Sequence, residues 1–235
     1  MQKLIVANFK MNGNINFYKE VNNKFNNLKF KDTVILCPPF VYMPILKINN
    51  KLIKIGSQDI SEEVNTKSTG SISPNMLKEF DVKYSIVGHS ERRAIGQTDE
   101  LISRKVKCCV ENDICPIICV GEKTKNSSTA TVAKQVKSAL SNISHSAKII
   151  FAYEPVWAIG SGKVPTNNKI NKVIQSIKDI LKENNFNDTK VLYGGSVNET
   201  NYKELLLTCA DGFLLGGVSL KLDKLETLIK GVHNE

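Results

Sequence analysis

The strongest constraint on the fold of this chain is an alternation. Eight short runs rich in apolar and β-branched residues recur at Leu4–Phe9, Thr33–Cys37, Ile53–Gln58, Tyr84–Gly88, Pro116–Val120, Lys148–Tyr153, Lys190–Tyr193 and Asp211–Leu215. Helical periodicity fills the intervals, at Asn16–Leu28, Gly96–Asn112, Thr129–Ile143, Asn167–Asn184, Glu199–Thr208 and Leu220–Gly231, with shorter pieces at Met43–Ile48 and Pro74–Phe80. Within Asn167–Asn184, Ile170, Val173, Ile174, Ile177 and Leu181 share one helical face. Several of the strand runs are continuously apolar, such as Ile117-Ile118-Cys119-Val120, which suits strands covered on both faces. Eight such strands, each followed by helical sequence and with no linker between them, predict an α/β fold: a single-domain (β/α)8 barrel over residues 1–235, eight parallel strands with surrounding helices. An open doubly wound sheet would place a glycine-rich turn after the first strand, where this chain has Asn8-Phe9-Lys10-Met11-Asn12.

Composition narrows the partners. Lysine gives the 235-residue chain a net charge of +9, but it is spread along the sequence without a basic block or an aromatic-interleaved stripe. The charge reads as a solvated surface with some preference for small anions, not as a nucleic-acid interface. No run reaches the ~18 apolar residues of a membrane helix, and the N-terminal apolar run is too short for a signal peptide. A cytoplasmic protein with no membrane association is expected. The six cysteines, at 37, 108, 109, 115, 119 and 209, lack paired metal-ligand spacing and read as free thiols, mostly in the core.

Chemistry in such a barrel sits on the loops that follow the C-terminal ends of the strands. Those ends read Asn8-Phe9-Lys10, Gly88-His89-Ser90-Glu91, Cys119-Val120-Gly121-Glu122, Glu154, Gly194-Gly195-Ser196 and Gly216-Gly217. Titratable groups and glycines gather at one end. Taken singly, a strand-end acid would pair with a surface lysine, a lone histidine would be structural, and paired glycines would be turns. The stretch Gly160-Ser161-Gly162-Lys163 is no nucleotide loop, because Trp157 and Val164 stand where that motif needs glycine and Ser or Thr.

The segments Ala7–Gly13 (ANFKMNG), Ser85–Arg93 (SIVGHSERR), Ile118–Glu122 (ICVGE), Ala152–Lys163 (AYEPVWAIGSGK), Tyr193–Val197 (YGGSV) and Asp211–Leu220 (DGFLLGGVSL) together resemble the triosephosphate isomerase family, in its order and over nearly the whole chain. The resemblance implies a TIM barrel enzyme of glycolysis and gluconeogenesis that interconverts dihydroxyacetone phosphate and D-glyceraldehyde 3-phosphate through an enediolate, without cofactor or metal. It implies Glu154 as the base, and a carboxylate, weakly basic in water, is strengthened as a base by removal from water. It implies a neutral His89 as electrophile; this enzyme is a standard example of that arrangement. Lys10 with Asn8 would offset charge on phosphate and enediolate, and Glu91 would support it or handle protons. Backbone amides of Gly160, Ser196, Gly216 and Gly217 would bind phosphate. Cys119 would pack beneath the base, and Pro155-Val156-Trp157 would hinge a lid tipped by Ala158–Gly162. The alternatives are another phosphosugar isomerase, an aldolase using Lys10 as a Schiff base, or a barrel that only binds.

The chain departs from the family pattern in three places. The long polar loop Asp59–Ser73 matches the one with which the family contacts a partner subunit, so the resemblance implies a homodimer formed around Thr69. Ser68 and Ser71, however, stand where the family carries an apolar residue and Glu. The segment between Glu122 and Glu154 is a few residues short. Val164-Pro165 stiffens the far end of the lid, since proline fixes its own φ and restricts the residue before it.

Overall fold

All eight expected strands form, within two residues of their expected limits, in the computed structural model, which describes residues 3–64, 67–125 and 129–234. They are β1 (Leu4–Asn8), β2 (Val34–Cys37), β3 (Ile53–Ser57), β4 (Tyr84–Val87), β5 (Cys115–Val120), β6 (Ile150–Tyr153), β7 (Lys190–Tyr193) and β8 (Gly212–Leu215). Each pairs in parallel with its neighbours in chain order, and β8 returns to β1 with Ile5 opposite Phe213, which closes the barrel. The α-helices are α1 (Ile15–Asn27), α2 (Pro74–Lys78), α3 (Ser90–Ala94), α4 (Asp99–Glu111), α5 (Thr129–Leu140), α6 (Asn167–Glu183), α7 (Tyr202–Leu206) and α8 (Leu222–Asn234).

Local chemistry sets the helix limits and explains where they depart from expectation. The Asn14, Ser73, Thr98 and Thr166 side chains each accept an amide hydrogen bond at a helix start, so α1, α2, α4 and α6 begin there. The Thr98 cap starts the expected Gly96–Asn112 helix three residues late, at Asp99, and a left-handed Gly96 at φ +108° separates it from the short α3. The expected piece at Met43–Ile48 forms earlier, as a 3-10 helix over Phe40–Ile45 that starts from Pro39. Helix α7 is shorter than Glu199–Thr208 because Asn198 Oδ1 accepts from the Thr200 and Asn201 amides, holding that stretch as a turn. Gly217–Leu220 is likewise a 3-10 turn before α8.

Two apolar layers stabilise the barrel. Outward-facing strand residues such as Ile5, Ala7, Val120, Phe151 and Phe213 pack against the helices in one large cluster. Inward-facing residues fill the lumen: Leu4, Val6, Ile35, Cys37, Ile86, Ile117, Cys119, Ile150, Ala152, Leu192 and Leu214. Both faces are dry, which is why these strands read as unbroken apolar runs. Each buried aliphatic side chain contributes about 2 kcal/mol of transfer free energy, so the shared layer resists distortion of any one strand.

The same period of two places the polar residues. One step beyond Leu4 and Val6 the inward position on β1 is Asn8, and one step beyond Ile150 and Ala152 it is Glu154. A carboxylate therefore stands on top of the apolar plug. Gly121 lets the backbone of Glu154 pass close by, since a Cβ there would lie 1.7 Å from the Glu154 carbonyl oxygen. All six cysteines are free. Among the described residues, no helix is long and apolar enough to cross a membrane. Asn65 and Thr66 of the long loop lie outside the described residues.

Candidate active site

Eight of the nine residues singled out in the sequence line one cavity at the C-terminal mouth of the barrel. Asn8, Lys10, His89, Glu154, Gly160, Ser196, Gly216 and Gly217 surround a volume of about 340 Å³. The ninth, Glu91, lines an adjoining groove, with its side chain mostly exposed.

Glu154 is buried, and both carboxylate oxygens are engaged. His89 Nε2 lies 3.1 Å from Oε1, and the Ser90 amide donates to Oε2 at 3.0 Å. Beneath it the buried Cys119 thiol is pushed well above its ordinary pKa by burial and by the neighbouring carboxylate. It remains protonated as a packing group and donor, not as a nucleophile.

His89 is oriented from its other nitrogen. The Glu91 amide donates to Nδ1 at 3.2 Å, so a neutral ring carries its proton on Nε2 and presents an N–H donor to the cavity. Burial opposes the imidazolium, but the Glu154 carboxylate, through charge and hydrogen bond, outweighs it and raises the His89 pKa above its usual range. The pair hold each other.

Lys10 is held in a strained backbone. Its φ of 51° lies in the left-handed region that non-glycine residues seldom adopt. Asn8 Oδ1 accepts the Lys10 amide at 2.9 Å, and Gln58 Nε2 donates to the Lys10 carbonyl at 2.8 Å and to the Cys37 carbonyl at 2.9 Å. The ammonium then pairs with Glu91 Oε1 at 2.6 Å. Despite some burial, Lys10 and His89 hold the Glu91 carboxyl below its ordinary pKa. Among the described residues the buried lysine is Lys105, on α4.

The opposite wall is backbone. Gly160, Ser196, Gly216 and Gly217 meet there, and Gly216 precedes the first turn of the Gly217–Leu220 helix, an arrangement suited to an anion. The segment that follows β6 is anchored at its base. Trp157 Nε1 donates to the buried Glu122 Oε1 at 3.0 Å, and the Lys125 and Lys169 ammoniums lie 5.9 and 5.7 Å from its ring centre. Ser196 Oγ donates to the Ala158 carbonyl at 3.2 Å, joining that segment to the loop after β7. Among the described residues, no group of three or more His, Cys, Asp or Glu is arranged to hold a metal ion.

Sequence reasoning overlooked Gln58, the Ser90 amide, and Gly194 and Gly195 as wall residues. Gln58 carried a signal, being the first polar residue after a strand end. The Ser90 amide carried none, because a backbone donor has no side-chain signature.

The triosephosphate isomerase family model matches residues 3–232. The triosephosphate isomerase of Orientia tsutsugamushi (strain Boryong) is 39% identical over 99% of this chain and 99% of its own length. That of Aquifex aeolicus (strain VF5) is 40% identical over 94% and 95%, and that of Emericella nidulans is 38% identical over 92% of each. With the motifs in order from β1 to β8 and the closed barrel that places them at one mouth, this chain belongs to the triosephosphate isomerase family.

Proposed function

We propose that this chain interconverts dihydroxyacetone phosphate and D-glyceraldehyde 3-phosphate in glycolysis and gluconeogenesis, with residues 1–235 working as one catalytic barrel. The observation that carries the proposal is the placement of Glu154 and His89, 3.1 Å apart, across a cavity from a wall of glycine and serine backbone. A triose phosphate bridges those two features, with its phosphate on the Gly160, Ser196, Gly216 and Gly217 side and its carbonyl at His89.

Glu154 takes a proton from the carbon beside the carbonyl. The C–H electron pair becomes the new C=C bond, and the carbonyl pair moves to oxygen, where His89 Nε2–H and the Lys10 ammonium stabilise it. The hydroxyl proton then passes to that oxygen by way of His89. Glu154 returns its proton to the neighbouring carbon as the C=C pair forms the new C–H bond and the freed oxygen's pair forms the new C=O, which completes the aldose–ketose exchange. Asn8 positions Lys10, and Glu91 holds the Lys10 ammonium until substrate arrives. Lid closure by residues 158–162 would exclude water and protect the enediolate.

A homodimer through the loop around Thr69 fits the surface next to this site. Met11 is 93% exposed and Ile95 70%, and both line a groove of about 770 Å³ with Ser68, Gly70 and Ser71. Apolar side chains this exposed beside an open groove call for a covering partner.

The test is conversion of glyceraldehyde 3-phosphate by purified protein beside a Glu154→Ala variant, with sedimentation of the same samples. Wild-type turnover, a loss of at least about 10³-fold in the variant and a dimer mass are expected. An inactive wild type, or equal activity in both, would overturn the assignment, and a monomer would overturn the pairing.

A further inference from the structure

A buried carboxylate one residue beyond Gln58 gathers three donors. Asp59 Oδ2 accepts from Arg92 Nε at 2.9 Å and from Gln97 Nε2 at 2.8 Å, and Oδ1 accepts from Lys105 Nζ at 2.7 Å. Lys105 and Asp59 are both nearly closed to solvent, at 8% and 13% side-chain exposure. Three elements meet on this one charge: the loop after β3, the helix α3 with the turn that follows it, and α4.

What they hold is Lys10. Gln58, adjacent to Asp59, fixes the strained Lys10 carbonyl. Arg92, also bonded to Asp59, is adjacent to Glu91, which fixes the Lys10 ammonium. The Arg92 amide donates to the His89 carbonyl at 2.8 Å, which ties the same turn to His89. Lys10 is thus gripped at both ends by neighbours of residues that converge on Asp59. A left-handed lysine persists only where its surroundings over-determine it, and a buried ion pair holds its partners in place because losing one charge strands the other.

We infer that Asp59 is a positioning residue for Lys10, acting from outside the cavity. The inference rests on the isomerase reading for the importance of Lys10. The charge matters more than its exact carrier. Gln97 Nε2 already bonds Asp59, while Gln97 Oε1 is buried without a donor among the described residues. A carboxylate at position 97 would therefore put the same charge one hydrogen bond away, where the amide introduced by Asp59→Asn could donate to it.

The experiment is calorimetric titration of the full-length protein with glycerol 3-phosphate, which carries the phosphate but no carbonyl to isomerise. Far-UV circular dichroism checks the fold of each variant. Asp59→Asn weakens binding roughly tenfold, the scale of one lost charge-assisted contact. In a Lys10→Met background the same change has no further effect, because coupled residues are not additive. Asp59→Asn combined with Gln97→Glu regains most of the affinity. If Asp59→Asn alone does not fold, Asp59→Glu keeps the charge but displaces it, and should show a smaller loss that also vanishes in the Lys10→Met background. Unchanged affinity in folded Asp59→Asn, an equal loss with and without Lys10, or no recovery with Gln97→Glu would each overturn the inference. Wild-type turnover of glyceraldehyde 3-phosphate is measured alongside. Its absence overturns the isomerase reading as well, whereas turnover with Asp59→Asn binding intact overturns this inference alone.

Discussion

The two mouths of the barrel are made by the same eight strands and differ in almost everything else. At the N-terminal mouth, Leu4, Tyr84, Cys115, Ile150 and Phe186 surround a cavity of about 530 Å³, rimmed by Lys3, Lys148 and Lys190. At the C-terminal mouth the cavity is smaller, about 340 Å³, yet it carries Asn8, Lys10, His89 and Glu154. Volume is therefore a poor guide to chemistry in this molecule. Two physical differences decide. The inward register reaches Leu4 and Ile150 at one end, and Asn8 and Glu154 at the other. The crossover helices run back along the strands, so their electropositive N-termini point to the C-terminal mouth and their carbonyl ends to the other. The helix dipoles thus favour a phosphate dianion at the C-terminal mouth and disfavour it at the other. Lys3 itself donates to the Ala210 carbonyl at 2.5 Å, and burial lowers its pKa.

This contrast can be broken experimentally. The largest effect is expected at His89. His89→Ala should lower kcat about 10²- to 10⁴-fold, the range of one general acid–base or electrophilic group. In the wild type the pH dependence of kcat/KM should carry its signature. The His89 pKa is raised above its ordinary 6.5, and the neutral ring is the useful form. Activity should therefore fall as pH drops through a value above 6.5, and that bend should be missing from the His89→Ala profile. A bend at or below 6.5, or one that persists in the variant, would remove His89 as its source.

A smaller effect is expected at the far hinge of the lid. Pro165 is buried while Val164 beside it is exposed, so proline fixes one end of a segment whose tip projects into solvent. Pro165→Ala should enlarge the range of open conformations and change kcat by a few-fold through lid kinetics. Relaxation dispersion on the lid amides, read beside kcat, decides this, and unchanged values in both would show that the hinge is not limiting. The smallest effect belongs to the other mouth. Tyr84→Phe removes the hydroxyl from the larger cavity and should leave kcat/KM within about twofold, as for most substitutions away from a site. A loss as large as that of His89→Ala would mean that the two ends are not functionally separate.

Much of this was legible in the residues. The Asn167–Asn184 stripe named the buried face of α6 almost residue for residue, because a 3.6-residue period has one meaning on a surface helix. The strand ends singled out Glu154, His89 and Lys10 for a similar reason: the polar residue that follows an apolar inward run must stand at the mouth. The failures were also physical. Gly96 looked like the start of a helix until Thr98 capped α4 and Gly96 went left-handed. Glu91 was expected beside Lys10 and does pair with its ammonium at 2.6 Å, but nothing in the sequence foretold that its side chain would line the neighbouring groove. Asp59 was read only as the edge of a polar loop, since its donors lie 33, 38 and 46 residues away.

The sequence by itself determined the number and order of the elements, the parallel barrel they form and the end at which the chemistry sits. These depend on local periodicity and on burial on both faces, which every strand encodes for itself. Tertiary structure alone decided the left-handed backbone of Lys10, the 3.1 Å approach of His89 to Glu154 and the convergence of Arg92, Gln97 and Lys105 on Asp59. Each of these requires residues far apart in the chain to arrive together. Pairing of successive strands around a packed lumen makes them do so.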